Sequence, residues 1–228
     1  MLCLPLGLEC GKNEPNERPA GVEKLQVVTT VAPITNIVEN VAGENASVTG
    51  IIPEGINSHT FEPIPSDSKL LSGADLVFFN GLDLETPTLQ LARANLKPGA
   101  TIDILGDKTV NEKDYIYDFS FPRNQGHPNP HLWLNPKYAM RYAELVRDAL
   151  QRLDPKNQAA YRENAARFLE RLKALDRAIK EASATIPQRN KRLLTYHDSW
   201  PYFARRYGFE VIGAAQPSDF ADGSEIPS

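Results

Sequence analysis

The stretch KLQVVTTVAPITNIVENVAGENASVTG, residues 24–50, decides the fold class. Its β-branched run at 24–31 predicts a buried strand. Pro33 opens a helix that we expect to reach about Val41, and residues 46–55 predict a second strand. Because strands that alternate with helices favour parallel pairing, this unit indicates an α/β fold.

The same alternation continues along the chain. A short helix ending at Gly73 precedes a third strand over 75–81, and a helix over 85–96 precedes a fourth strand over 100–106. The pattern therefore predicts a mostly parallel sheet. Residues 107–130 follow as a long irregular loop, and loops of this length in compact domains are usually functional or disordered.

Two helices come next, each with a capping side chain before a proline, at Asn135–Pro136 and Asp154–Pro155. Each has one apolar face. The first face consists of Ala139, Tyr142, Ala143, Val146, Ala149, Leu150 and Leu153, and the second of Tyr161, Ala165, Phe168, Leu172, Leu175 and Ile179. A helix from 155 to about 183 would be about 40 Å long at ~1.5 Å per residue, which predicts a strut that joins two lobes.

A second α/β unit begins after the strut. We expect a strand over 192–196, a helix over 199–208 and a strand over 209–215. A piece this short cannot cover both faces of a parallel sheet, so the second lobe is expected to be incomplete at Ser228. The predicted organisation assigns the ranges in order: 1–23 to a leader and tether, 24–134 to an N-terminal α/β lobe, 135–186 to helices including the strut, and 187–228 to the start of a truncated C-terminal lobe.

The N-terminus holds both cysteines, Cys3 and Cys10. The first ten residues are mostly apolar and contain no basic residue, so they fit either a disordered leader or the remnant of a secretory signal. Cys10 would then be a candidate for lipidation, although Glu9 stands where such a site prefers a small residue. The folded body has no cysteine, which excludes disulfides and thiolate metal sites there.

The composition of the chain argues against two further classes of protein, nucleic-acid-binding and membrane-spanning. The chain has 228 residues and a net charge of −4, which argues against a nucleic-acid partner because such proteins carry clustered surplus Lys and Arg. No run of 18 apolar residues occurs, so the sequence predicts no membrane-spanning helix.

Three of the four histidines occupy comparable positions. His59 follows the second strand, His197 follows the first strand of the second lobe, and His131 precedes a helix in a proline-rich loop. Ligands of α/β proteins bind outside the carboxyl ends of strands, and neutral imidazole suits Zn²⁺, Mn²⁺, Fe²⁺, Cu²⁺ and Ni²⁺. Taken singly, each histidine fits an ordinary surface or packing role better than a ligand role, and together they form no local motif. We expect His127 to be a surface residue.

Side chains near these histidines allow two interpretations each. Trp133 and Trp200 could pack as an apolar wall that excludes water from the imidazoles and fixes their orientation. Asp198 could accept a hydrogen bond from a ligand histidine or supply a helix N-terminal charge. Glu62 could act as an acid or base, or be a turn carboxylate. Because free histidine titrates near pH ~6.5, metal binding is expected to weaken in acid.

Several motifs in order resemble one family. They are VVTTVAPITNIVENVAG, IIPEGINSHTFEPIPSD, ADLVFFNGLDLE, PHLWLNP, TYHDSWPYFARRYG and QPSDF. They are similar to the zinc/manganese-binding solute-binding proteins of bacterial ABC importers (the cluster A-I family), over about residues 25–221. The resemblance implies a non-enzymatic, monomeric protein, periplasmic or extracellular, that holds Zn²⁺ or Mn²⁺ between two lobes and delivers it to a membrane permease. It also implies His59, His131 and His197 as ligands.

The fourth ligand of that family, an Asp or Glu well beyond the third, is not reached by this sequence. Asp219 and Glu225 are not assumed to replace it. In that family, histidine as the third ligand favours zinc. Zinc-binding members often have a histidine-rich loop between the first two ligands, and residues 107–126 contain no histidine, which weakens the zinc assignment. The alternative is a zinc hydrolase with three histidines, a bound water and Glu62 or Asp198 as base. A third interpretation is a surface adhesin.

Overall fold

A parallel four-stranded sheet forms the first half of the protein in a computed structural model, which describes residues 24–118 and 120–214. The strands are β1 (Leu25–Thr29), β2 (Ala46–Gly50), β3 (Leu76–Phe79) and β4 (Thr101–Ile104), in the spatial order β2-β1-β3-β4. This confirms the predicted α/β class. The predicted leader with Cys10, and Asp219 and Glu225 at the other end, lie outside the described residues.

Three helices connect these strands: α1 (Ala32–Ala42), α2 (Pro65–Gly73) and α3 (Thr86–Asn95). Each has a proline in its first two positions, where the missing N–H costs no hydrogen bond. α1 buries Ile34, Val38 and Val41 completely against the sheet. These helices direct the loops that follow the strands to one edge of the sheet.

The second strand is shorter than the predicted range of 46–55. Its pairing extends past β2 only through Ile51, whose N–H donates to the carbonyl of Thr29 at 2.8 Å, and Ile52, whose N–H donates to Thr30 at 3.1 Å. Pro53 has no N–H and ends the ladder. The chain then turns and carries His59 over the edge of the sheet.

Two long helices, α4 (Pro136–Leu153) and α5 (Gln158–Ala184), pack against each other and against α1. The Asn135 side chain accepts from the N–H of Lys137 at 3.0 Å, as its capping position predicts. α5 has 27 residues, so at ~1.5 Å per residue it is about 40 Å long. It begins at Gln158 because residues 155–157 form a separate 3-10 turn.

The predicted apolar face of α5 is covered only along its first half. Tyr161, Ala165 and Phe168 are buried, whereas Leu172 and Ile179 are partly buried and Leu175 is 49% exposed. The expectation of a continuous packed face was therefore wrong for the second half. Periodicity shows which side of a helix is apolar, but not how far the partner surface extends.

A second parallel unit follows, with β5 (Arg192–Thr195), α6 (Pro201–Tyr207) and β6 (Glu210–Ala214). Asp176 of α5 accepts hydrogen bonds from Arg206 at 2.6 Å and from Tyr207 at 2.5 Å, which ties α6 to the long helix. The mostly parallel sheets and the long helix agree with the predicted architecture. The lobe boundaries stay predictions. Within the described ranges, no helix combines the length and apolarity needed to cross a membrane.

Candidate metal centre

Three imidazoles converge where the two α/β units meet. His59 lies on the loop after β2, His131 precedes a 3-10 turn that leads into α4, and His197 follows β5. The Nε2 atom of His131 lies 3.2 Å from Nε2 of His59 and 3.0 Å from Nε2 of His197. Together they offer one ligand atom each, all within 4.8 Å of one another.

These separations fit a single ion. Zinc binds imidazole nitrogen at about 2.0–2.1 Å, so two nitrogens in a tetrahedral set lie about 3.4 Å apart. The two short separations, 3.2 and 3.0 Å, are a few tenths of an ångström below that value. An ion among the three nitrogens would require these two separations to widen by a few tenths of an ångström and the third, which is at most 4.8 Å, to come close to the same value.

The surroundings keep the imidazoles neutral. Burial, reinforced by His59 and His197, lowers the pKa of His131 to about 2. Burial, with a contribution from His197, lowers the pKa of His59 to about 4. Burial also lowers the pKa of His197, although Asp198 opposes that shift. Because a metal requires deprotonated ligands, the cluster is ready to bind at neutral pH.

Aromatic rings flank the cluster. The ring of Trp133 lies 5.2 Å from that of His131, edge-on. Phe121 lies 5.5 Å from His59 and 6.0 Å from His131, a contact that was not predicted from the sequence. Trp200 instead packs edge-on against Phe203 at 5.2 Å. Its predicted place in the wall has no support among the described ring contacts.

The other candidates lie apart from the three nitrogens. His127 is exposed, and its Nδ1 lies 2.8 Å from Oδ2 of Asp83. Glu62 is exposed. Asp198 is fully buried, and its Oδ2 accepts from the N–H of Ser120 at 3.0 Å. Among the residues that the structure describes, the three histidines form the one group suited to hold a metal.

Asn129, two residues before His131, was not predicted from the sequence as a functional residue. Its Oδ1 lies 2.8 Å from Nδ1 of His131, and its Nδ2 lies 2.8 Å both from Oδ2 of Asp118 and from the main-chain oxygen of Asp198. Burial and the adjacent Asp198 raise the pKa of Asp118 to about 7. The only signal in the sequence was the Asn-Pro-His spacing, which also suits a simple turn.

Comparison with known proteins decides the family. Residues 27–225 match the family model described as ZnuA, zinc-uptake complex component A, periplasmic. The chain belongs to the ZnuA family. This ZnuA-family chain is 31% identical over 220 residues to the manganese-binding lipoprotein MntA of Halalkalibacterium halodurans, with 94% of the chain and 68% of that relative covered.

A second relative and two solved structures agree. The metal ABC transporter substrate-binding lipoprotein FimA of Streptococcus parasanguinis is 34% identical, over 81% of the chain and 60% of the relative. The periplasmic zinc-binding protein TroA of Treponema pallidum superposes with a TM-score of 0.76 at 26% identity, covering 88% of this chain and 70% of that one. A cadmium-bound periplasmic metal-binding protein of Candidatus Liberibacter asiaticus gives 0.74 at 28% identity, covering 84% and 68%.

The ZnuA-family chain is shorter than its relatives. It spans 60% of the length of FimA and 68% of that of MntA. The matches nevertheless include both units and the helix that joins them, because the family match runs from β1 to beyond β6.

Proposed function

We propose that this ZnuA-family protein captures a divalent transition-metal ion, Zn²⁺ or Mn²⁺, and delivers it to the permease of an ABC importer. The convergence of three neutral imidazoles between the two units is the observation that carries this proposal. The relatives support it, since their names describe manganese- and zinc-binding proteins and substrate-binding lipoproteins of metal ABC transporters.

His59, His131 and His197 are the proposed ligands, each through Nε2. Three neutral imidazoles leave both positive charges of the ion uncompensated. A carboxylate in the fourth position would halve that charge and complete a tetrahedral set. We propose that such a carboxylate comes from outside residues 24–214, because the described metal-capable group contains histidines only.

Zinc is the better match for the ligands described. Imidazole nitrogen suits zinc, while manganese accepts carboxylate and water oxygens more readily, and the Irving–Williams order places zinc above manganese at an equal site. We therefore expect tighter binding of Zn²⁺ than of Mn²⁺, whichever ion is transported.

A binding role accounts for the site better than hydrolysis does. A zinc hydrolase needs a carboxylate that can take a proton from the metal-bound water. Of the two predicted bases, Glu62 is exposed, and the carboxylate of Asp198 is buried and accepts from Ser120. We propose a non-enzymatic monomer that works in the periplasm or at the outer surface, anchored through Cys10 if that residue is lipidated.

Alanine substitution of each histidine tests the site. His59→Ala, His131→Ala and His197→Ala should each weaken Zn²⁺ binding at least tenfold, measured by competition with a fluorescent chelator. His127→Ala is the matched control because that ring is exposed and pairs with Asp83. Four variants with the wild-type affinity would refute the ligand assignment.

A further inference from the structure

Asn129 is a fully buried side chain with no charge and no role in the proposed ligand set. Its main-chain N–H donates to the carbonyl of Ile116 at 2.8 Å, and its carbonyl accepts from the hydroxyl of Tyr202 at 2.9 Å. Both ends of its amide are also hydrogen-bonded. A buried amide with every group satisfied is held in one orientation.

That orientation is fixed by two main-chain partners, one that can only donate a hydrogen bond and one that can only accept one. The main-chain N–H of His131 can only donate, and it lies 3.0 Å from Oδ1 of Asn129. The main-chain oxygen of Asp198 can only accept, and it lies 2.8 Å from Nδ2. Nδ1 of His131, 2.8 Å from the same Oδ1, must therefore carry the hydrogen, which leaves the lone pair on Nε2.

The same amide also reaches the second unit. Asp198 directly follows His197, so the bond from Nδ2 to its main-chain oxygen holds the segment that presents the third imidazole. Ser120 and Tyr202 reinforce this contact: the N–H of Ser120 donates to the Asp198 carboxylate, and the Tyr202 hydroxyl donates to the Asn129 carbonyl. One side chain thus contacts His131 and the main chain adjoining His197.

We infer that Asn129 is a positioning residue that preorganises the site in the metal-free protein. It fixes His131 as the Nδ1–H tautomer and holds the His197 segment at the distance a shared ion needs. This inference rests on the proposed metal-binding function. Outer contacts of this kind change metal affinity by about 10–100-fold when removed.

Asn129→Ala should therefore weaken Zn²⁺ binding about 10–100-fold, and His131 of the metal-free variant should become a mixture of tautomers. Long-range ¹H–¹⁵N NMR of the imidazole reads the tautomer directly. Asn129→Asp keeps an acceptor for Nδ1–H and should restore the single tautomer, although it loses the Nδ2 donor to Asp118 and to the carbonyl of Asp198.

Asn135→Ala is the matched control. Asn135 is also buried. Its amide accepts from Lys137 and donates to the carbonyl of Tyr202 at 3.2 Å, and neither bond involves a histidine. Its removal should lower the melting temperature but leave the His131 tautomer unchanged and the Zn²⁺ affinity within about threefold. The comparison separates positioning from general destabilisation.

The metal-free wild-type protein supplies a test that needs no variant. An Nε2–H tautomer at His131 would overturn the inference, as would a folded Asn129→Ala variant with a single Nδ1–H tautomer and unchanged Zn²⁺ affinity. If the wild type fails to bind Zn²⁺, the proposed function fails, while the tautomer measurement still tests the role of Asn129.

Discussion

Acidification from pH 7.5 to 5.5 should weaken Zn²⁺ binding far less than a three-histidine site normally allows. A metal displaces protons from its ligands, so the loss in affinity depends on how many ligands are protonated in the free protein. The pKa of His131 is lowered to about 2 and that of His59 to about 4, so neither takes up an appreciable proton in this range.

The size of the affinity loss distinguishes this buried cluster from a site of three ordinary histidines. An imidazole with a pKa of ~6.5 is about nine-tenths protonated at pH 5.5, so three such ligands would lower the affinity about 1000-fold relative to pH 7.5. Here only His197 can contribute, and its pKa is also lowered by burial. The expected loss is therefore at most about tenfold.

Competition with a fluorescent chelator, calibrated for Zn²⁺ at each pH, measures this ratio. The exposed pair of His127 and Asp83 serves as an internal check, because His127→Ala should leave the whole curve unchanged. A loss near 1000-fold would show that the three imidazoles are as hydrated and as separate as free histidines, and would contradict the packed cluster.

Two further predictions concern the metal-free protein. Tyr142→Phe should lower the free energy of unfolding in urea by about 1–3 kcal/mol, because the buried Tyr142 hydroxyl donates to Oδ1 of Asn80 at 2.7 Å; an unchanged midpoint would contradict this. Asp118→Asn should make stability fall more steeply between pH 7 and pH 4. Burial raises the pKa of Asp118 to about 7, so the stabilisation that its protonation provides is present in acid and is lost as pH rises. The histidines act in the opposite direction, because their lowered pKa values destabilise the fold as pH falls. Identical acid profiles for variant and wild type would rule out that opposition.

The order of strands and helices could be predicted from the sequence because it depends on local patterns. β-branched runs, prolines at helix starts and apolar periodicity are properties of short segments, and they located every strand and α-helix described. The ends were less certain: β2 ends at Gly50 instead of 55, and its pairing with the neighbouring chain stops at Pro53, which has no N–H. Leu175 is exposed because the apolar periodicity of α5 does not show how far the surface that covers it extends.

The three histidines could be identified from the sequence as candidate ligands, but their convergence on one site could not be predicted from it. His59, His131 and His197 are far apart along the chain, and only the sheet order and the docking of α6 on α5 bring their Nε2 atoms to 3.0 and 3.2 Å. Asn129 and Phe121 escaped notice because hydrogen bonds and ring contacts between distant segments leave no local pattern. Local chemistry thus determined which residues could bind a metal, and tertiary packing decided their distances, their protonation and the amide that orients them.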